Sequence, residues 1–250
     1  MIIVTFTTIP PRFQNIHFTI NSILSQTVIP HKIVINVPEK YNNYNNNLQF
    51  PKIDDSRVIV NRCKDFGPAT KLLGLKGTEL YDNMSDDDII IVLDDDRNYN
   101  NRMVENFVHH NTIYPDKAMT IAGWEIEVVT DGKVSYPKQK LPRGMEFRSC
   151  GHIDILGGCC AFALTKRMCP FNNDEIFKLT KDDPKYYVDD IWLSGFLTLN
   201  GTDIYIVPNS TRADEPRNIN NNINPLCNSN RNKINTICAE YFREKYNLWK

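Results

Sequence analysis

The 250-residue sequence contains no stretch of about 18 or more apolar residues, so it encodes no membrane-spanning helix. It has no surplus of positive charge either. Lys and Arg number 29 against 30 Asp and Glu, a formal charge of −1, which leaves no global field to draw nucleic acid or an anionic membrane. Histidine is sparse: of His17, His31, His109, His110 and His152, none has metal-ligand spacing, and adjacent helical residues such as His109 and His110 cannot share a face. The seven cysteines include no Cys-x-x-Cys pair, and Cys159 and Cys160 are neighbours, which suits neither a zinc site nor an easy bridge. The opening Met1-Ile2-Ile3-Val4-Thr5-Phe6 lacks a basic stretch and a small-residue cleavage site, so it reads as a strand and not a secretory signal. A cytoplasmic protein with mostly reduced, buried cysteines is the expectation. The turn after that strand, Thr7-Thr8-Ile9-Pro10-Pro11-Arg12, contains no glycine and hence no Gly-rich phosphate loop.

At 41% hydrophobic and 24% charged, the chain can bury a real core. Its most informative stretch is Ile89-Ile90-Ile91-Val92-Leu93-Asp94-Asp95-Asp96. An unbroken apolar run of this length reads as a strand buried on both faces. Three adjacent carboxylates repel one another, so folding alone does not explain them. Ligands of open α/β sheets bind outside the carboxyl ends of the strands, and a hard divalent cation would neutralise carboxylates there. A solvated Asp-rich turn is the plainer alternative.

Ile2 to Phe6, Asn15 to Gln26 and Ile33 to Val37 form a strand–helix–strand unit, which implies parallel strands. An extended loop is expected from Thr7 to Phe13, forced by the two prolines. Pro38 to Ser56 is a polar Tyr/Asn-rich loop, Val58 to Val60 a strand, and Gly67-Pro68 opens a helix running to about Leu75. Further on, Met103 to Ile113 is a helix, Met119 to Trp124 a strand, and Glu127 to Tyr136 a hairpin around Asp131-Gly132. Gly157-Gly158 precedes a strand, Cys159 to Leu164, and a helical apolar stripe fills Pro184 to Leu199, ended by Gly201. Ile204 to Val207 is a last strand and Lys233 to Tyr246 a closing helix. With no internal repeat and no linker, residues 1–250 read as one domain, with halves at 1–96 and 97–250.

Three groups of residues have the makings of chemistry. In an extended segment Asp94 and Asp96 face the same way and reach one Mn²⁺ or Mg²⁺ while Asp95 points elsewhere; a sharp turn after Leu93 makes Asp95 the ligand instead. Asp65 to Lys71 opens a helix, whose free N–H groups and a lysine charge suit phosphate, although Asp65 as a simple cap and Lys71 as a solvated charge explain the same pattern. Asp189 and Asp190 favour the helix dipole, or supply a general base. Arg12, Arg97 and Arg212 are further phosphate candidates, with Arg143 and Arg148 behind them. Trp124 suits either the core or a sugar ring.

In this order and spacing the residues resemble the GT-A glycosyltransferases, family-2-like members in particular, over nearly the whole chain. The resemblance implies a Rossmann-like α/β fold: a mixed, mostly parallel sheet flanked by helices, with a small antiparallel acceptor-side subregion. Thr7, Thr8 and Arg12 look like the nucleotide-binding first strand, and Ser22 to Thr27 followed by Pro30 like the usual start of these enzymes. Asp65, Gly67 and Lys71 look like the segment touching base and phosphates. Leu93-Asp94-Asp95-Asp96 matches the Asp-x-Asp metal motif, with Asp94 and Asp96 on the metal and Asp95 beside the donor. Gly157 and Gly158, with Trp124, fall on the acceptor side. Val188-Asp189-Asp190-Ile191 resembles the acidic motif whose second carboxylate, here Asp190, is the base of inverting members. Some relatives add a C-terminal histidine ligand; none follows His152, which leaves Asn209, Asp214, solvent or the donor's diphosphate to complete the metal.

The implied activity is metal-dependent transfer of a hexosyl or related sugar from a nucleotide-diphosphate donor, a UDP-sugar foremost, to an acceptor hydroxyl in glycan biosynthesis. Residues 1–96 would bind the donor and 97–250 the acceptor. Two rivals stand beside it: a nucleotidyltransferase making nucleotide sugars, and a non-catalytic sugar-binding protein of the same fold.

Overall fold

Eight strands make the main sheet of the computed structural model: β1 (Ile2–Thr7), β2 (Lys32–Pro38), β3 (Val58–Cys63), β4 (Ile89–Val92), β5 (Lys117–Thr120), β6 (Gly151–Ile153), β7 (Phe162–Thr165) and β8 (Asp203–Ile206). The residues described are 1–45, 49–128, 134–135, 139–140, 150–158, 160–208, 217–218 and 231–249, with backbone alone for 127–128, 134–135, 139–140 and 217–218. Across the sheet the order is β6-β8-β5-β7-β4-β1-β2-β3. Neighbours are parallel from β4 through β3 and between β5 and β8, whereas β7 opposes both β4 and β5, and β6 opposes β8. The sheet is therefore mixed and mostly parallel, and helices cover it on both sides.

The apolar runs explain why. Side chains alternate along a strand. Ile90 and Val92 of β4 enter one core with Leu72, Leu73, Trp192 and Phe196, while Ile89 and Ile91 enter the other with Ile20, Ile23 and Phe107. A strand covered on both faces has no use for polar alternation. The helices concerned are α1 (Ile16–Leu24), α2 (Thr70–Leu73), α3 (Met103–Ile113), α4 (Asp189–Leu199) and α5 (Arg231–Tyr246). From β1 the chain passes to β2 and β3 on one side and returns to β4 on the other. The order reverses between β1 and β4, and a crevice opens at their carboxyl ends.

Several elements differ from their sequence expectation. The stretch after β1 is a 3-10 helix, Pro10–Asn15, and not an extended loop. Proline's fixed φ suits a first helical turn, and Phe13 is buried edge-on to Phe50. The strand expected from Met119 to Trp124 is two: β5 ends at Thr120, and Gly123–Trp124 joins a separate antiparallel sheet with Gln139–Lys140 and Ile155–Leu156. Thr120 Oγ1 donates to Ala122 O at 2.7 Å and bends the chain between them. The helix expected over 184–199 is a 3-10 turn, Pro184–Tyr187, then α4. The helix opened by Gly67-Pro68 is a 3-10 turn followed by the short α2, and the strand expected from Cys159 begins at Phe162. Glu127–Val128 and Val134–Ser135 pair as a hairpin, and its turn at Asp131-Gly132 lies outside the described residues. Among the described residues no helix is long and apolar enough to cross a membrane.

Gly195 of α4 shows how closely α5 packs. A Cβ there would stand 2.4 Å from ring carbons of Phe242, which is 0% exposed. Alanine normally gains about 1 kcal/mol over glycine inside a helix, but overpacking a core costs about 1–3 kcal/mol. Gly195→Ala is expected to lower stability by up to about 2 kcal/mol, read as a lower denaturant midpoint at unchanged slope. A midpoint at or above that of the parent protein contradicts this packing.

Candidate functional site

The crevice holds a cavity of about 270 Å³, walled by the turns after β1 and β4, the start of α2, the first turn of α4 and Arg231. The chain turns at Asp95 and Asp96 as soon as it leaves β4. Tyr99, 4% exposed, holds that exit: its hydroxyl accepts Asp94 N–H at 2.9 Å and donates to Asp94 O at 3.1 Å. Thr19 of α1 donates to the carbonyls of Asp95 and Arg97, at 2.8 and 2.9 Å. The three aspartates consequently diverge. Asp95 turns inward, where Thr8 Oγ1 and Arg12 Nη1 each donate to it at 2.6 Å. Asp94 points to Lys71. Asp96 has Arg12 Nη2 at 3.4 Å on one oxygen and Arg97 Nε at 3.6 Å on the other, and that second oxygen, Oδ1, is buried without a hydrogen bond.

Asp65 lies just before the turn that leads into α2 and pins its first residue. It accepts Gly67 N–H at 2.8 Å, Asn42 N–H at 2.7 Å and Tyr186 O–H at 2.9 Å. Gly67 has φ +64°, and a Cβ on it would meet the Tyr186 ring at 2.6 Å; glycine satisfies both constraints. Asp65 thus organises the turn ahead of α2 without being its N-cap, and Lys71 is not the solvated charge of the plainer reading. Lys71 is 3% exposed, and its Nζ lies 2.8 Å from Asp94 Oδ1 and 2.8 Å from Asp189 Oδ2. Its carbonyl accepts Thr5 Oγ1 at 2.8 Å and Asn36 Nδ2 at 3.2 Å.

Asp189 and Asp190 open α4, 3% and 7% exposed. Asp190 Oδ1 accepts Gly158 N–H at 3.0 Å, and its Oδ2 lies 3.9 Å from Arg231 Nη2. A Cβ on Gly158 would sit 2.5 Å from Asp190 Oδ1 and 2.7 Å from Lys71 Nζ, so only glycine fits between them. Gly157 is close-packed differently, with Ala122 O 2.5 Å from where its Cβ would be.

These contacts set the charge states. Burial raises the Asp190 carboxyl to about 7, helped by Asp189 and opposed by Lys71 and Arg231. Burial also raises Asp96, to about 6, with Asp94 adding to it and Arg12 opposing. Asp95 is raised by burial against the pull of Arg12 and Thr8. For Lys71 burial pulls downward, but the attraction of Asp189, Asp94 and Asp190 outweighs it, and the ammonium is held well above its usual range.

Thr7, Thr8, Arg12, Asp65, Lys71, the three aspartates and the Asp189–Asp190 pair thus line one cavity. Trp124 does not join them; it sits half-buried in the small antiparallel sheet against the core below α4. Arg143, Arg148, Asn209, Arg212 and Asp214 lie outside the described residues. Two features escaped the sequence reading. Tyr41, Asn43 and Tyr44 of the Tyr/Asn-rich loop, with Tyr186 and Tyr187, form an aromatic rim, and Arg231 reaches the cavity from the head of α5. The density of tyrosine in the loop was the available signal for the rim; nothing marked Arg231.

The donor set suits a hard cation. Six carboxylates and four basic side chains line the cavity among the described residues, an excess of two negative charges when all are ionised. Asp96 Oδ1 is a buried oxygen without a hydrogen bond, and Asp94 keeps 29% of its side chain exposed. No group of three or more His, Cys, Asp or Glu converges among the described residues, so further ligands would have to come from a bound molecule or water.

Asp190 also carries a stability signature. Its folded value, about 7, exceeds the ordinary carboxyl range near 4. The native state therefore holds a proton that the unfolded state has lost, and stability falls as pH rises between the two values. Asp190→Asn is expected to flatten that slope between about pH 4 and 7 and to be the more stable protein at pH 8, by the order of a few kcal/mol. Denaturant melts across pH check it; parallel slopes in both proteins refute the assignment.

No family model and no curated protein matches the chain. Among solved structures 151 chains match. One is the crystal structure of S. aureus TarS residues 1–349, at 11% identity and TM-score 0.49, covering 98% of this chain and 71% of that one.

Proposed function

We propose that the protein is a glycosyltransferase that takes a sugar from a nucleotide-diphosphate donor, a UDP-sugar foremost, and passes it to an acceptor hydroxyl with inversion. The observation that carries this is the meeting, in one cavity at the β1/β4 switch point, of the carboxylates after β4, the turn after β1 and a buried carboxyl poised near neutrality. The whole chain would act as one unit, with 1–96 holding the donor and 97–250 closing on the acceptor.

Asp94 and Asp96 would hold Mn²⁺ or Mg²⁺, with the donor's phosphate oxygens completing the set. A divalent ion there supplies Lewis-acid neutralisation of the charge left on the departing diphosphate. Thr7, Thr8, Arg12 and Asp65 shape the donor side, and the tyrosine rim offers rings against which flat groups pack. Arg231 places a fixed positive charge beside Asp190, where electrostatic stabilisation of developing negative charge is effective.

Asp190 is the base. A carboxyl at about 7 is deprotonated often enough to accept the acceptor's hydroxyl proton and basic enough to hold it. Gly158 N–H fixes Oδ1, which leaves Oδ2 to face the cavity. Asp189, paired with Lys71, supports it from the neighbouring position. Trp124 and Gly157 lie behind this wall, and the acceptor contacts expected of them would be indirect.

Three measurements bear on this. A thermal-shift series with nucleoside diphosphates, with and without Mn²⁺, should raise the melting temperature, since about 100-fold saturation adds roughly 2.7 kcal/mol. Asp190→Asn should retain that shift while transfer falls about 10²- to 10⁴-fold; undiminished transfer removes Asp190 from the chemistry. In the parent protein kcat/KM should rise with pH and level off above about 7, the value to which Asp190 is held, because only the ionised base works. Pyrophosphate release from a nucleoside triphosphate and a sugar phosphate would instead mark a nucleotidyltransferase.

A further inference from the structure

Lys71 has too many partners to be a waiting phosphate ligand. Its ammonium touches carboxylates from two elements remote in sequence, Asp94 after β4 and Asp189 at the head of α4, each at 2.8 Å. It has little room to leave them. The side chain is 4% exposed, and Gly158 packs against it so closely that a Cβ there would stand 2.7 Å from Nζ. Its backbone is pinned from beneath: Thr5 and Asn36, both 0% exposed, donate to the Lys71 carbonyl. Asn61 in turn donates to Asn36 at 2.8 Å, so the pin belongs to a polar network across β1, β2 and β3. The two carboxylates that would hold metal are therefore unequal. Asp96 Oδ1 accepts no hydrogen bond and has only the longer contact to Arg97 Nε at 3.6 Å, whereas Asp94 Oδ1 is held by the Lys71 ammonium at 2.8 Å.

We propose that Lys71 is a resident counter-ion with which a divalent metal must compete at Asp94, and that Asp189 sets how strongly it competes. The inference rests on Asp94 and Asp96 being the metal's protein ligands. A metal at Asp94 arrives beside an ammonium that Asp189 and the packing hold in place. The repulsion weakens metal binding to the protein alone. A nucleoside diphosphate brings negative charge that offsets it. Metal and donor consequently enter together, and the site does not fill with metal when no donor is present. Lys71 is on this account a positioning and gating residue, not one that touches the reacting atoms.

The test is Mn²⁺ binding without turnover, followed by the paramagnetic resonance signal of free Mn²⁺, with Mn²⁺ alone and with Mn²⁺ plus UDP. A charge within about 4–6 Å shifts an ionic equilibrium by about one to three powers of ten. Lys71→Met should therefore bind Mn²⁺ alone about ten- to a hundredfold more tightly than the parent protein, and UDP should improve its affinity less. Asp189→Asn leaves Lys71 to Asp94 alone and should weaken Mn²⁺ binding about tenfold. It keeps a buried ion pair, so it serves even where Lys71→Met fails to fold. Two charge-matched controls in the same cavity separate competition from a general field: Arg231→Gln beside Lys71→Met, and Asp65→Asn beside Asp189→Asn. Controls that shift affinity as much as their counterparts overturn the proposal, as does an Mn²⁺ affinity unmoved by either test variant. Failure of every protein to bind Mn²⁺, even with UDP, overturns the metal reading of Asp94 and Asp96 itself.

Discussion

An ammonium group buried between two carboxylates ties the molecule's halves together. Lys71 sits on α2, Asp94 follows β4, and Asp189 begins α4. Taking three charges out of water is costly, and the cost is offset only where the geometry is close and the remaining polar groups are satisfied. The surroundings meet both conditions. Thr5 and Asn36 are buried under Lys71 and joined by the half-buried Asn61 in one polar network, and glycine at 158 permits the approach of Asp190 and Lys71 to one another. Deleting one partner of such a cluster leaves an uncompensated buried charge, which typically costs about 3–5 kcal/mol. The position of the first turn of α4, and with it Asp190, depends on this contact.

The same need for compensation explains how three consecutive aspartates coexist. Each meets a cation, with Arg12 shared between Asp95 and Asp96. Asp95 is enclosed by Arg12 and Thr8 and is a structural residue of the turn. Asp94 is paired with Lys71 through one oxygen. Asp96 has the longest contacts, 3.4 Å to Arg12 and 3.6 Å to Arg97, and its carboxyl is pushed up to about 6 by burial and by Asp94. The turn gives Asp94 and Asp96 different ion-pair partners, while they stay near enough for the Asp94 charge to help raise the Asp96 carboxyl. The turn is enforced from outside, by Tyr99 and by Thr19 of α1.

How much of this was legible follows from range. The buried β4, the parallel pairing of β1 with β2 and the helix at Asp189 rest on local apolar pattern and a short crossover, and they could be read residue by residue. The split of 119–124 into two sheets could not, since it depends on where Gly157 and Ile155 bring another segment, 2.7 Å from Gly157 N to Ala122 O. The residue-before-proline rule holds at Ile9, which is extended, but not at Pro10, which precedes Pro11 and yet opens the 3-10 helix, where proline's fixed φ suits the first turn. For the site, the acidic motifs announced themselves by local repulsion. Their counter-ions did not. Arg12, Lys71 and Arg231 are ordinary basic residues in sequence, and only the fold shows that one braces Asp95, one bridges two elements and one approaches Asp190.

Asp189 and Asp190 are adjacent, of one type and both buried in one helical turn, yet the structure gives them different work. Successive residues on a helix point in different directions. Asp189 points to Lys71, whose Nζ lies 2.8 Å from its Oδ2. Asp190 points to Gly158 N–H and towards Arg231, with no lysine of its own at ion-pair distance among the described residues. Burial and the neighbouring Asp189 charge then raise Asp190 to about 7, while Lys71 and Arg231 oppose the rise without cancelling it. One carboxylate is spent on holding the ammonium so that the other can keep a proton near neutrality. A doublet of acids opening an apolar helix, which the helix dipole alone would explain, is thereby divided into an ion-pair partner for Lys71 and a group that titrates near neutrality.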